Sequence, residues 1–349
     1  MPFEDHLTAE VSGVWQQETP GPATVTEVMA DVEAQLANGD ASKLLPLATG
    51  FSPLDEILNG GLRPGELLVI GGPFGVGKTI FGLQVARNVA ASDPGNCAIY
   101  VCYEHDRMHL LSRLLCLESA LQGAGENALT LRRITELAGM GSHGMGTLAQ
   151  ISDYAATMVS LKRYADRLVL VKASGSTSTL QQIETWVRGL ATPEMKRALL
   201  VVDYLQKIPI DRPFLESEED ATTYLAQGLK ELAISLGIRL IAIVASDRAG
   251  LQSRRMRLTD LRGSSALQYE ADIGLVLNNK HAIVSREHLV YNLVQAEAMK
   301  NWVVMSVEKN RAGRSTVDME YAMDAAHFHM LTEGRFVRER LVDEKVIRE

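Results

Sequence analysis

A glycine-rich segment of eight residues constrains the fold of this chain more than any other part of its sequence. The segment fits the pattern G-x-x-x-x-G-K-[ST] in full and consists of Gly72, Pro73, Phe74, Gly75, Val76, Gly77, Lys78 and Thr79. An apolar run at 67–70 precedes it, and a helical pattern at 80–90 follows it. Glycines at such a strand-to-helix turn let backbone N–H groups and the helix N-terminus surround a phosphate chain. The segment therefore predicts a strand–loop–helix unit that binds a nucleoside triphosphate, and ATP is the expected ligand.

Three side chains are predicted to contact the phosphates and their counter-ion. Lys78 is expected to reach the β- and γ-phosphates, and the Thr79 hydroxyl is expected to coordinate Mg²⁺. An NTPase of this kind also needs a carboxylate at the end of another buried strand. Asp203 meets that requirement because it follows the apolar run 199–202. ATP and Mg²⁺ are thus the predicted cofactors, with Thr79 and Asp203 as the metal-binding residues.

Glu104 is the predicted catalytic carboxylate. Tyr204 follows Asp203, so the adjacent glutamate with which many ATPases activate water is missing from that strand. Glu104 ends another buried-strand pattern, and in a doubly wound sheet its strand end can face the same nucleotide pocket. The alternative is that Glu104 only caps the helix that begins near Asp106.

Alternating strand-like and helix-like segments predict an α/β domain with a mainly parallel sheet. Most of the apolar runs are short and flanked by turn residues, as expected for strands that are covered on both faces. The predicted strands are 67–71, 98–102, 168–171, 198–202, 240–245 and 273–277, and the predicted helices are 78–91, 107–121, 148–163, 179–190 and 217–236. The last third differs, because 302–307, 316–321 and 327–330 indicate antiparallel strands.

Composition divides the chain into four predicted regions. Residues 1–25 contain scattered acids and prolines and are predicted to be a mobile tail. Residues 26–48 contain an amphipathic helix, with Thr26 as the expected N-cap and Asn38-Gly39 as the stop. Residues 49–332 are predicted to form the ATPase domain, and 333–349 a charged C-terminal tail.

The net charge of −8 is concentrated near the N-terminus. Residues 1–49 contain eight acidic residues and one base, which gives −7 and leaves −1 for the rest of the chain. The acidic average therefore does not exclude nucleic acid as a partner of the larger part. Three cysteines are too few for a disulfide framework, the N-terminus lacks signal-peptide features, and no apolar run is long enough to cross a bilayer. These observations predict a cytoplasmic protein without a membrane partner.

The motifs together resemble the C-terminal ATPase domain of DnaB-type replicative helicases. That family has a RecA-like P-loop NTPase fold, in which helices flank a mainly parallel twisted sheet. The resemblance rests on the phosphate loop, on Glu104 and on the sequence Val-Asp-Tyr-Leu-Gln at 202–206. It covers about residues 26–330 and includes the segments 49–55, 60–67, 260–264, 270–272 and 308–313.

The resemblance implies an ATP-hydrolysing, ring-forming helicase or translocase that acts on single-stranded DNA. In the family, a linker helix packs on a neighbouring subunit, and six subunits close a ring; the helix at 26–37 resembles that linker. Lys309 and Arg311 match the family's Lys-x-Arg pair, which reaches into the ATP site of the neighbour and stabilises transition-state charge. A hexameric homo-oligomer and a replication partner protein are therefore expected.

A basic loop supports the expectation of DNA binding. Residues 247–257, here called the basic loop, are polar and rich in arginine, whereas the domain as a whole is almost neutral. Arginines in such a loop can contact backbone phosphates without reading bases. The predicted DNA-binding residues are Arg248, Arg254, Arg255, Arg257 and Arg262. The alternative is a solvated surface loop, since no aromatic residue is interleaved with these arginines.

Three features differ from the family pattern. Ala245 stands where the family usually has a polar sensor of the γ-phosphate, and the excursion at 280–300 is longer than the family motif requires. The N-terminal helical domain that contacts primase in the family is expected to be absent. These differences leave open an alternative function, a RecA-fold regulatory or helicase-associated ATPase without unwinding activity.

Overall fold

The computed structural model describes residues 21–42, 44–123, 127–139, 152–190, 195–210, 217–247, 250–285 and 293–342. Several predictions concern residues outside these ranges. They are most of the acidic tail, the start of the predicted helix 148–163, the arginine at 248 and the last seven residues of the predicted C-terminal tail.

A ten-stranded sheet organises the described part of the chain. Its strands are β1 (Leu67–Gly71), β2 (Asn96–Cys102), β3 (Leu168–Lys172), β4 (Arg197–Asp203), β5 (Arg239–Ile243), β6 (Ile273–Asn279), β7 (Trp302–Asn310), β8 (Val317–Asp324), β9 (His329–Met330) and β10 (Arg335–Phe336). They are arranged in the order β10-β8-β7-β6-β1-β5-β4-β2-β3, with β9 paired to β8. The strands from β6 to β3 in this order are parallel, and β7, β8, β9 and β10 are joined by antiparallel pairing. The predicted combination of a parallel sheet with antiparallel C-terminal strands is confirmed.

Helices cover both faces of the parallel part. The helices that the structure describes are α1 (Val25–Ala37), α2 (Leu54–Ile57), α3 (Lys78–Ser92), α4 (Arg107–Leu121), α5 (Leu131–Gly139), α6 (Ser152–Lys162), α7 (Leu180–Gly189), α8 (Glu218–Leu236), α9 (Ser264–Glu270), α10 (Lys280–Ile283) and α11 (Leu293–Ala298). Among these helices, none combines the length and apolar character that a bilayer crossing requires.

Strand β1 lies inside the sheet and contributes to two hydrophobic cores, one on each face. Leu68 and Ile70 pack into the core that contains residues of α3 and α4, whereas Leu67 and Val69 pack into the core that contains residues of α7 and α8. Successive side chains of a strand point to opposite faces, so a strand covered on both faces must be apolar at every position. This burial explains why the first predicted strand is a continuous apolar run without alternation.

The region before the ATPase domain is a helix followed by an anchored connection. Thr24 is the N-cap of α1 and forms a capping box with Glu27, so the prediction of Thr26 as the cap is wrong by two residues. Asn38 and Gly39 end the helix as expected. Within the described chain, none of the α1 residues is buried. The buried Arg239 donates to the backbone carbonyls of the connection that follows, at Ser42 (2.9 Å) and Leu45 (2.8 Å).

The predicted C-terminal tail begins with residues that belong to the sheet. Strand β10 pairs with β8, and the Gly334 N–H donates to the Ser52 carbonyl at 2.7 Å. Lys280 is buried between Glu320 of β8 and Glu339, which follows β10. Residues 333–342 are therefore held against the domain, and the predicted domain boundary at 332 does not separate them from it.

A buried charged network joins the helix that follows the phosphate loop to the next helix. Glu118 of α4 is fully buried and accepts hydrogen bonds from Arg87 of α3 at 2.5 and 3.0 Å, and from the Tyr164 hydroxyl at 2.5 Å. The Arg87 guanidinium also lies 5.3 Å from the centre of the Tyr164 ring. These contacts fix the orientation of α3 relative to α4.

Replacing Glu118 with Ala is expected to destabilise the domain strongly. The substitution leaves the Arg87 guanidinium without its carboxylate partner, and removal of one member of a buried ion pair costs about 3–5 kcal/mol. Urea unfolding monitored by circular dichroism measures this free energy. Glu184→Ala, which removes a half-exposed partner of Arg188 on α7, is the matched control and should hardly move the midpoint. Equal destabilisation by the two variants would contradict the structural role of the network.

Candidate functional site for nucleotide and DNA

The glycine-rich loop joins the carboxyl end of β1 to the N-terminus of α3. Gly77 is the N-cap of α3 with φ +101°, and Gly72 has φ +151°, a range that side chains rarely adopt. A Cβ atom at Gly72 would lie 2.5 Å from the Leu277 carbonyl, and a Cβ atom at Gly77 would overlap Met323. Glycine is therefore required at 72 by the backbone of β6 packed against it, and at 77 mainly by the positive φ of the loop.

Lys78 is directed back over the loop that precedes it. Its Nζ donates to the carbonyls of Gly72 at 2.6 Å and Pro73 at 2.8 Å, so its charge lies inside the curve of the backbone. Burial lowers the pKa of Lys78 to about 8, although the negative charges of Asp203 and Glu104 act in the opposite direction. Among the described residues, no carboxylate is hydrogen-bonded to this lysine, which lies at the place where the phosphates are expected.

Asp203 ends β4 and lies beside the loop. Its carboxylate accepts hydrogen bonds from the Tyr100 hydroxyl at 2.7 Å and from the Thr79 side chain. Only 1% of Asp203 is exposed, and burial raises the pKa of its carboxyl group. A hydroxyl and a carboxylate in contact at a phosphate loop fit Mg²⁺, which takes one or two protein oxygens together with phosphate oxygens. Thr79 and Asp203 are the residues that would hold this ion.

Glu104 follows β2, the strand adjacent to β4. Cys102 and Asp203 are register partners, so the ends of the two strands lie side by side. Glu104 is exposed, and its charge contributes to the pKa of both Lys78 and Asp203, which places it at the same edge of the sheet. The alternative role as a helix cap is wrong, because Asp106 caps α4 and accepts from the His109 N–H at 2.8 Å.

Lys309 and Arg311 lie beside the start of β6, at the amino ends of the parallel strands and opposite the phosphate loop. The Arg311 N–H donates to the Asp272 carbonyl at the start of β6, whereas Gly71 of β1 is paired with Val276, four residues further along β6. At about 3.3 Å per residue, this separation is roughly 13 Å along the strands, and the phosphate loop extends further in the same direction. Lys309 contacts the Gln268 and Tyr269 carbonyls. The structure therefore does not bring this pair to the phosphate loop of its own chain.

The described arginines of the basic loop, and Arg262 beyond it, have partners within the chain. Arg255 is 5% exposed and forms an ion pair with Asp318 of β8 at 2.6 Å, so its assignment as a DNA contact is wrong because its guanidinium is buried. Arg254 is exposed and donates to carbonyls of the 280–300 excursion, Arg257 pairs with Glu308, and Arg262 pairs with Glu218. Residue 248 lies outside the described residues.

Two polar side chains at the site were not predicted from the sequence. Tyr100 holds the Asp203 carboxylate, and Gln206 binds the backbone of Ala245, the position without a polar sensor side chain. Tyr100 precedes Cys102 by two residues and Glu104 by four, which indicates that the three lie on one strand face. This spacing does not indicate which group accepts a hydrogen bond from the Tyr100 hydroxyl. That acceptor belongs to a strand about one hundred residues later in the sequence, at residue 203.

The sequence matches the family model of the DnaB-like helicase C terminal domain over residues 46–330. The curated relatives include the replicative DNA helicase DnaB of Treponema pallidum (strain Nichols), which is 29% identical over 254 residues, 73% of this chain and 52% of that protein. The replicative DNA helicase DnaB of Geobacillus stearothermophilus is 28% identical over 65% of this chain and 46% of that protein. The chain thus spans about half the length of these relatives.

Two solved structures share the fold. A structure described as an ATPase domain has a TM-score of 0.68 at 19% identity and covers 89% of this chain and 99% of its own. A DnaB-like replicative helicase, studied with its interactions with primase, has a TM-score of 0.66 at 19% identity, with coverages of 89% and 67%. The fold is therefore that of a DnaB-like ATPase domain. Because the family model matches more than half of its residues, this chain belongs to the family of DnaB-like helicase C terminal domains.

Proposed function

We propose that the chain is an ATP-hydrolysing motor of DnaB type that assembles into a ring and moves on single-stranded DNA. One observation carries the proposal. Lys78, Thr79 and Asp203 lie together at the carboxyl ends of the parallel strands, with Glu104 beside them. Named relatives are replicative DNA helicases, which supports DNA unwinding as the use of this ATPase.

Each residue of the site has a distinct role in the proposed hydrolysis. Lys78 binds the phosphate chain with its ammonium group, and the loop N–H groups at the start of α3 bind the oxygens that carry negative charge. Mg²⁺, when bound, neutralises charge on the β- and γ-phosphates. Glu104 orients the attacking water and accepts its proton. Asp203 is held in position by Tyr100 and therefore presents its carboxylate in one orientation.

Assembly is proposed to complete the site. Lys309 and Arg311 lie at the edge of the sheet away from their own phosphate loop, and charged groups there can stabilise hydrolysis only in a neighbouring subunit. The exposed apolar side chains of α1, which include Val25, Val28 and Met29, support its proposed role as a linker helix that packs on a second copy. A hexameric ring and a replication partner complete the proposal.

Single-stranded DNA should raise ATP turnover, and the wild-type protein should displace a strand from a forked duplex when ATP and Mg²⁺ are present. Glu104→Gln should bind ATP but lose turnover by about 10²–10³-fold, because one contact to the reacting groups is removed. Phosphate release and strand displacement are the measurements. DNA-independent hydrolysis without strand displacement would favour the alternative function, a regulatory or helicase-associated ATPase.

The affinity for ATP should fall as the pH rises through about 8. Burial has lowered the pKa of Lys78 to about 8, so its ammonium group is charged below this pH and increasingly neutral above it. Binding of a labelled ATP analogue between pH 7 and 9.5 measures the effect. Lys78→Arg is the matched variant, since arginine stays charged throughout this range and should remove the pH dependence. An unchanged affinity profile in the wild type would contradict the role of Lys78.

Arg311→Ala should inactivate ATP hydrolysis in homogeneous assemblies by about 10³-fold or more, as expected for loss of a transition-state arginine. Mixed assemblies with Lys78→Ala subunits should regain part of the turnover, because a Lys78→Ala subunit still supplies its Arg311 to the intact phosphate loop of an Arg311→Ala neighbour. Phosphate release as a function of the mixing ratio measures this rescue. Full activity of isolated Arg311→Ala monomers would rule out action across an interface.

A further inference from the structure

The basic loop leaves the sheet through a short two-stranded base. The Arg262 N–H donates to the Ala245 carbonyl at 3.0 Å, and the Asp247 N–H donates to the Asp260 carbonyl at 3.1 Å. Ser246 and Leu261 form the antiparallel bridge between these bonds. Residues 245–247 and 260–262, here called the loop base, therefore fix where the basic loop begins and ends.

One side chain from the turn after β4 contacts both segments of the loop base. Gln206 lies in the turn after β4, three residues beyond Asp203. Its Oε1 accepts from the Ala245 N–H at 3.1 Å, and its Nε2 donates to the Arg262 carbonyl at 3.3 Å. Ala245 and Arg262 are themselves joined by a backbone hydrogen bond, so the amide of Gln206 closes a ring of three contacts.

The Gln206 amide can connect the nucleotide site to the loop base, which the methyl side chain of Ala245 cannot do. A methyl side chain at 245 offers no hydrogen bond to a phosphate oxygen or to the loop, so this position can respond to the nucleotide only through its backbone. The backbone N–H at that position is bound by Gln206. The turn that carries Gln206 follows Asp203 directly, and Asp203 contacts Thr79 of the phosphate loop. A continuous set of covalent and hydrogen-bonded contacts thus connects the phosphate loop with the loop base.

We infer that Gln206 is a positioning residue that transmits the state of the nucleotide site to the basic loop. A shift of the β4 end when Asp203 binds a metal–nucleotide complex moves the Gln206 amide, and the amide moves both strands of the loop base together. The basic loop is then presented to single-stranded DNA differently with and without bound nucleotide. This inference rests on the proposed function, because it requires that the basic loop contributes to DNA binding.

Thermodynamic coupling between the two ligands tests the inference directly. The coupling factor is the ratio of the dissociation constants of fluorescent oligo-dT without and with a non-hydrolysable ATP analogue and Mg²⁺, and linkage requires the same factor for the analogue with and without oligo-dT. The wild type is expected to show a factor of about 5–150, the usual range for coupled sites. Gln206→Met keeps the length of the side chain without its hydrogen bonds and should bring the factor to within about twofold of one.

Two further variants separate coupling from stability. Gln206→Glu keeps the acceptor for the Ala245 N–H and loses the donor to the Arg262 carbonyl, so its coupling factor should lie between those of the wild type and Gln206→Met. Gln181→Met removes an exposed amide on α7 and should keep the wild-type factor. Thermal unfolding confirms that each variant is folded, and if Gln206→Met unfolds, Gln206→Glu provides the decisive comparison.

The outcomes distinguish this inference from the function on which it rests. Loss of coupling in Gln206→Met, with oligo-dT and analogue still binding separately, supports the inference. Wild-type coupling in both Gln206 variants overturns it and leaves the proposed function intact. A wild type that does not bind oligo-dT, or binds it equally with and without analogue, overturns the inference and contradicts the proposed motor function as well.

Discussion

The parallel arrangement of the inner strands is the constraint on which the site depends. Parallel strands end at the same edge of a sheet, so residues that follow β1, β2, β4 and β5 must meet there, although they are far apart in the sequence. The backbone hydrogen bonds between β1, β5, β4 and β2 hold these ends in register. The phosphate loop, Glu104, Asp203 and Ala245 are neighbours for this reason. Strand pairing and burial on both faces hold these residues beside one another, and the proposed chemistry depends on that arrangement.

The antiparallel strands that follow have the opposite consequence. Strand β7 runs against β6, so its last residues and those after it return to the edge from which β1 starts. Lys309 and Arg311 are consequently separated from the phosphate loop of the same chain by the length of the sheet. Under the proposed function, this reversal of strand direction is the reason that hydrolysis would need a second subunit. Asp272 holds Arg311 at that edge through an ion pair, and it also forms an ion pair with Lys230.

The arginines near the basic loop illustrate how tertiary contacts change the meaning of a charge pattern. Residues 248–262 contain five arginines and one aspartate, which suggests a cationic surface. The structure pairs Arg255 with Asp318, Arg257 with Glu308 and Arg262 with Glu218, all acids distant in the sequence. These pairs give the loop a defined shape and reduce its free positive charge. Under the proposed function, DNA meets described arginines that are already held by their carboxylate partners, which reduces the cost of ordering on binding.

The sequence by itself determined the strand–loop–helix unit. Positive φ angles require glycine and a strand buried on both faces requires apolar residues, and both requirements are visible in the residues of the segment itself. It also predicted that Asp203 and Glu104 lie at the same edge, since each follows an apolar run that is typical of an inner strand. Only the tertiary structure showed that Tyr100 holds Asp203, that Gln206 binds the loop base and that Arg255 is buried. These contacts join residues of different strands, and hydrogen bonds between distant segments depend on strand order and register. The sequence pattern around any one of these residues does not specify both the strand order and the register.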